Sequence, residues 1–295
     1  MNGRRISLSV AAALLLAGPL LAVWMGRRET SAGPCVLAAG PFLLPDIPEA
    51  SGLAVSRRTR GLLWTHNDSG NAPILFALDA GGAVRGRVRV PVRAGDWEDV
   101  SAAPCPSGDC LYIADIGDNQ SNRRRVRIYR VPEPAAADAQ TAAPEIFTAA
   151  YADGPHNAEA LFVVDTSLFI VTRDRRGGVY RAAVPRSGDA DLTLQRIGEL
   201  QLAAVTDAET SRDGTTVVVR TSHEAVLYRA ADFLRGVAAP YLRIPIDGLR
   251  EPQGEGVALD GVMLYLSSEG RPWSRAGRFM SLRCDATVGT SIARR

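Results

Sequence analysis

The chain has 295 residues, 46% hydrophobic and 22% charged, an ordinary globular composition that sets disorder aside. Its basic residues are all arginine, which excludes a lysine Schiff base and a Walker-type phosphate loop, since both need an ε-ammonium. Of the formal charge of +2, the first 34 residues carry +3 through Arg4, Arg5, Arg27 and Arg28 against Glu29, leaving −1 for the rest, without the broad basic surface that nucleic-acid binding requires.

In chain order, Arg4 and Arg5 precede an apolar run of 20 residues, Ile6 to Met25, about the length that crosses a bilayer. Residues 1–34 therefore read as a signal peptide or an N-terminal membrane anchor. Arg27 and Arg28 stand where a cleavage site is usually neutral, and the positive charge before the run puts the body outside the cytoplasm. The expected location is the periplasm or the extracellular face, with anchoring in the inner membrane if the segment stays. Four cysteines in an exported chain predict two disulfides. Cys105–Cys110 would bracket the turn Pro106-Ser107-Gly108-Asp109, and Cys35–Cys284 would clasp the two ends of the folded body; the alternative is unpaired core thiols.

From Cys35 onward a short acidic phrase recurs: Glu49-Ala50-Ser51-Gly52-Leu53, Trp97-Glu98-Asp99-Val100, Asn157-Ala158-Glu159-Ala160-Leu161, Thr206-Asp207-Ala208-Glu209 and Gly254-Glu255-Gly256-Val257. With Glu49, Glu98, Glu159, Glu209 and Glu255 as anchors the steps are 49, 61, 50 and 46 residues, the period of four-stranded propeller blades. Strand-like runs separated by turn residues fill each repeat. The first holds Gly52–Val55, Leu62–His66, Ile74–Leu78 and Val84–Val92; the second Val100–Ala102, Leu111–Ala114, Val126–Val131 and Glu145–Ala149. The third holds Leu161–Val164, Leu168–Thr172, Val179–Ala182 and Leu192–Leu202; the fourth Ala208–Ser211, Thr216–Thr221, Ala225–Arg229 and Tyr241–Ile246. The last has only Gly256–Leu259, Met263–Ser267 and Arg278–Leu282, and its missing outer strand is supplied by Val36–Leu44. The expectation is an all-β fold, a single β-propeller over residues 35–295, with five blades closed by the N-terminal strand. Six shorter blades also fit the length. Pro132–Pro144 reads as a loop, and the Arg123-Arg124-Arg125 run as a solvated hairpin tip.

In a propeller each inner strand starts beside the end of its antiparallel neighbour, so carboxylates from several blades meet near the axis. Glu49, Glu98, Glu159, Asp207 and Glu255 come from the phrases, and Glu269 from the end of a second strand. Hard oxygen donors at this density suit Ca²⁺ better than zinc, which would want histidine or cysteine. His66, His156 and His223 all fall at strand ends facing the same mouth. If the mouth is catalytic, His66, Asp68, His223 and Arg220 are the expected reacting and substrate-holding groups, with Ca²⁺ polarising an oxygen and a histidine moving a proton. No Gly-x-Ser-x-Gly elbow supports serine chemistry.

The strings Glu49-Ala50-Ser51-Gly52-Leu53-Ala54, Trp64-Thr65-His66-Asn67-Asp68-Ser69-Gly70, Asp96-Trp97-Glu98-Asp99 and Asp115-Ile116-Gly117-Asp118-Asn119 resemble those of a group of exported bacterial propeller proteins, over most of residues 45–285. The layout is more distantly similar to calcium-activated nucleotidases, and the chain looks like phytase-like, esterase-like and lactonase propellers. That resemblance implies a calcium in the axial tunnel. The chain departs from the lactonase pattern in supplying mostly Glu and Asp where those enzymes mix in asparagine, which argues against lactone hydrolysis. Two functions are expected from different classes: a non-catalytic binding or scaffold protein of the cell envelope, and a Ca²⁺-dependent hydrolase of a phosphoester or ester. The expected partners are an anionic small molecule or an envelope protein or glycan, with no nucleic acid, and a monomer is expected.

Overall fold

The computed structural model describes residues 31–93, 95–236, 239–271 and 274–285; the expected signal or anchor lies almost wholly outside them. The described residues form five four-stranded antiparallel units. The first is Ala50–Val55, Leu62–Asn67, Ile74–Asp79 and Val84–Arg89, and the second Trp97–Cys105, Gly108–Asp115, Val126–Pro132 and Glu145–Tyr151. The third is Ala158–Val164, Ser167–Thr172, Gly178–Ala183 and Ala190–Glu199, and the fourth Val205–Thr210, Thr216–Thr221, Glu224–Arg229 and Pro240–Pro245. The fifth joins Gln253–Asp260, Met263–Glu269 and Gly277–Cys284 to the N-terminal strand Cys35–Leu44. Innermost strands touch in cyclic order and the fifth touches the first, so the ring is a closed β-propeller.

Position in the blade explains the patterning. The inner strands Ala50–Val55, Ala158–Val164 and Val205–Thr210 are buried along their whole length, because neighbouring blades cover both faces. Val84–Arg89, on the outside, alternates between buried and exposed residues, as a half-solvated strand does. Five apolar clusters fill the spaces between blades; one packs Phe162 and Phe169, stacked at 4.9 Å, against Phe233.

The outer edges are mostly covered. The outer strands of the second and third blades pair with each other in parallel, merging two blades into one eight-stranded sheet. Ala139–Gln140, inside the segment expected to be a loop, adds a parallel strand to the edge of the first blade, and Ser31–Ala32 covers Cys35–Leu44. The fourth blade ends in Pro240–Pro245, whose terminal prolines withhold edge N–H donors. Both disulfides form as expected, Cys35–Cys284 within the closing ladder and Cys105–Cys110 at a hairpin tip. They point to an oxidising, exported environment. Among the described residues no helix is long and apolar enough to cross a membrane.

Candidate functional site

All five innermost strands carry a register shift at their first turn of chain, where two residues oppose one on the neighbouring strand. These are β-bulges, which re-aim side chains. The bulged pairs are Ser51-Gly52, Glu98-Asp99, Glu159-Ala160, Thr206-Asp207 and Glu255-Gly256, opposite His66, Ala114, Val171, Arg220 and Ser267. Equivalent positions therefore stack as rings around the axis. The upper ring is Ser51, Glu98, Glu159, Thr206 and Glu255; the ring below it is Gly52, Asp99, Ala160, Asp207 and Gly256.

Above the upper ring lies a polar cavity of about 280 Å³ lined by Asp68, Asp96, Glu98, Glu159, Glu255 and Arg173, with Ser51, Ser69, Asn119 and Gln253. Asp68, Asp96 and Glu98 place carboxylate oxygens within 4.8 Å of one another. Oxygens on one Ca²⁺ shell at ~2.4 Å lie no farther apart than about that distance, and an all-oxygen donor set is what this ion takes. Glu98 is only 6% exposed, and no hydrogen bond to its carboxylate is found among the described residues. Burial, and then the charges of Glu159, Asp68, Asp96 and Glu255, push its pKa up to about 11. Glu159 is raised to about 8 by burial, held down by Arg173, with which it forms an ion pair. Burial also raises Asp68 and Glu255. Burial thus favours the protonated form of these carboxyls, and a cation held among them would favour the ionised one.

Several supports fix the first three oxygens. Asp115, buried, accepts the Asp96 N–H (3.0 Å) and an Arg123 guanidinium N–H (2.7 Å), while Arg123 also donates to the Gly117 carbonyl. Arg123 therefore braces the site rather than standing free at a hairpin tip. Gly117 lies so close that a Cβ there would strike Glu98 Oε1 and Asp96 Oδ2. On the third blade, Asn157 accepts the Asp118 N–H (2.8 Å), tying the strand that carries Glu159 to the second blade.

The ring below uses its acids differently. Asp207 Oδ2 accepts the N–H groups of Leu53 and Val257, and Asp99 Oδ2 accepts that of Leu161 (2.6 Å). Glu209 accepts from Ser101 Oγ (2.6 Å) and Ala102 N (3.0 Å) across the axis. Gly52, Ala160 and Gly256 are small, which makes room for this: a Cβ on Gly52 would lie 2.6 Å from Asp99 Cα and Val100 N. Burial raises Asp207 to about 7. Burial and the neighbouring Asp207 charge raise Asp99 well above its ordinary value.

The sequence-predicted residues divide accordingly. Glu98, Glu159, Glu255 and Asp68 line the cavity; Glu49 and Glu269 line an adjoining one of about 540 Å³. Asp207 sits one ring too deep, its Oδ2 taken by backbone donors. His66 and Arg220 occupy the same place in their blades, opposite the bulge, one residue short of the strand end. The pleat therefore turns both into the packing between blades. His66 is fully buried, 5.7 Å from Trp97 edge-to-face, with its pKa lowered to about 4 by burial. Arg220 is fully buried and donates to the Gly256 carbonyl (2.7 Å) and the Ser267 carbonyl (3.1 Å), with Glu251 as its ion partner. His223 is exposed and paired with Asp247 at 2.6 Å in a neighbouring cavity. His156 hydrogen-bonds Asp153 and Tyr180. Sequence reasoning missed Gln253, which lines all three cavities; its spacing before the bulge, the same as that of Asp96, was the available signal.

No family model and no curated protein matches the chain. Among solved structures it is similar to a chain of the mitotic checkpoint complex (13% identity, 98% of this chain and 74% of that one, TM-score 0.37). It is also similar to a chain of a nidogen/laminin complex (13%, 74% and 72%, TM-score 0.42). A third likeness is to a gluconolactonase from Xanthomonas campestris (11%, 86% and 91%, TM-score 0.41). The closed order of the innermost strands, rather than these distant likenesses, establishes this chain as a β-propeller.

Proposed function

We propose that this is an exported envelope protein that binds a divalent cation, Ca²⁺, in its axial cavity and uses the braced mouth as a non-catalytic binding surface for an envelope protein or glycan. The observation carrying the cation is Glu98, a buried carboxylate facing Asp68 and Asp96 without a hydrogen-bond donor. Asp68, Asp96 and Glu98 would hold the ion, with Glu159 and Glu255 alongside. The binding role rather than a catalytic one is supported by the histidines: His66 is locked between blades and His223 stands outside the cavity. The export reading rests on residues 1–34 and the disulfides, and the resemblance to exported bacterial propellers agrees with it.

A second reading, a Ca²⁺-dependent hydrolase of a phosphoester or ester, draws support from the cavity's continuity. It shares Arg173 and Gln253 with a neighbouring cavity of about 440 Å³, so a ligand could reach the ion. Thermal unfolding after chelation, then with Ca²⁺ added back in a concentration series, tests the cation. A midpoint that rises with Ca²⁺ supports it; no shift, with no metal in the untreated protein, sinks it. Turnover of phosphoesters that depends on Ca²⁺ would select the second reading over the first.

A further inference from the structure

The cavity of about 440 Å³ between the fourth and fifth blades differs in chemistry from the acidic one beside it. Its wall includes Arg250, Glu251, Ser222, His223 and Asp247, and its volume falls within the ~300–1,000 Å³ range of small-molecule sites. Most of its charged side chains have partners: Glu251 pairs with Arg220, Arg173 with Glu159, and Asp247 hydrogen-bonds His223. Arg250 has no ion pair among the described residues, so its guanidinium is the cation of this wall left to meet an anion. Arg250 is also held at φ 54, in the left-handed region, at the end of the 3-10 turn Asp247–Leu249. A non-glycine residue keeps that conformation only where its surroundings impose it.

A second observation defines the other end of a ligand. The Glu251 side chain is only 7% exposed. One oxygen, Oε2, meets the Arg220 guanidinium, while Oε1 and Arg220 Nε are both buried without a hydrogen-bond partner. Unmet buried donors and acceptors are costly. Glu251 lines the cavity, and a hydroxyl can donate to Oε1, whereas a bare oxyanion is repelled by it.

We propose that this cavity binds a polyhydroxylated small molecule bearing an oxyanion, a sugar phosphate or a sugar acid, with its oxyanion at Arg250 and a hydroxyl at Glu251. The site lies beside the cation cavity and goes beyond the cation reading, since none of its contacts needs the ion.

Calorimetric titration of the folded chain tests this in chelator and again with Ca²⁺, using glucose 6-phosphate, glucuronate, inorganic phosphate and glucose. At least one of the two sugar oxyanions should bind tenfold or more tightly than either phosphate or glucose, and the tighter of the two identifies the anion. Arg250→Gln should weaken that binding at least fivefold with the unfolding midpoint unchanged. Arg250→Gly, which suits the positive φ, should do the same and covers the case in which the glutamine variant misfolds. Unchanged affinity in a folded Arg250 variant would overturn the site, as would sugar oxyanions binding no better than phosphate and glucose. Binding seen only with Ca²⁺ would place the oxyanion on the ion and likewise overturn it, while leaving the cation reading intact.

Discussion

Two rings of acids lie one residue apart along the same strands and do opposite things. In the lower ring Asp99 and Asp207 each give Oδ2 to backbone N–H groups of other blades, which makes them fasteners of the closed ring. In the upper ring Glu98 is as buried but has no donor, and its neighbours are more carboxylates. Burial and residue type do not separate a structural acid from a site acid; the count of donors aimed at it does. The sharpest way to break this comparison is Asp207→Ala. It strands two buried N–H groups and leaves Asp99 without its partner, so it should cost about 3–5 kcal/mol of stability, by denaturant unfolding, equally with and without Ca²⁺. A loss confined to the Ca²⁺-loaded protein would move Asp207 into the cation site.

Glu98→Gln probes the upper ring and should behave oppositely. Removing a carboxyl that burial disfavours should leave the chelated protein as stable or more so, while abolishing the gain on adding Ca²⁺. In the wild-type chain that gain is about 2.7 kcal/mol at a hundredfold excess over Kd. A retained Ca²⁺ response in the variant would remove Glu98 from the ligand set.

Protons and the cation compete for the same ring, which fixes the sign of the pH dependence. Glu159 has its pKa raised from 4.5 to about 8, so the folded chain holds a proton that the unfolded chain has released at intermediate pH. The associated stability is complete below pH 4.5 and is lost as pH rises through about 8. Chelated protein should therefore lose stability between these limits, and Ca²⁺ affinity should rise over the same interval as protons leave. Melting curves at fixed ionic strength with chelator check the first, and calorimetry the second; a chelated protein that gains stability towards pH 8 would contradict the raised pKa that burial gives Glu159.

Much of this architecture was legible because blades repeat. Strands such as Thr216–Thr221, the closing strand before Glu49 and both disulfides follow from turn spacing and cysteine position. The ring alignment was less so. The repeat spacing makes Glu49 and Glu209 equivalents of Glu98, yet Glu49 lies two residues before its bulge, matching Asp96 and Gln253, and Glu209 lies below it. The true equivalents are Ser51 and Thr206, whose hydroxyls donate to the carbonyls of Glu98 (2.7 Å) and Glu255 (3.0 Å). A bulge shifts the facing of every later residue by one, and nothing in a single phrase marks it. His66 and Arg220, on the neighbouring strands, are buried instead because the pleat one residue before the strand end turns them between blades.

Paired glycine substitutions give the smallest expected effect in one ring and a larger one in the other. At Gly117 an added methyl meets the tips of Glu98 and Asp96, the latter at 2.5 Å. Those carboxylates are flexible enough to swing aside, so Gly117→Ala should change the chelated protein by less than ~1 kcal/mol, within the range of mild substitutions. Moving two ligand oxygens should nonetheless weaken Ca²⁺ about 10- to 100-fold, the usual cost of disturbing what positions a ligand. At Gly52 the methyl meets backbone, Asp99 Cα and Val100 N at 2.6 Å, and backbone cannot swing aside. Gly52→Ala should therefore lose about 1–3 kcal/mol by overpacking in chelator and in Ca²⁺ alike. If Gly117→Ala bound Ca²⁺ as tightly as the wild-type chain, Asp96 and Glu98 would not be its ligands, and the two rings would differ in hydration alone.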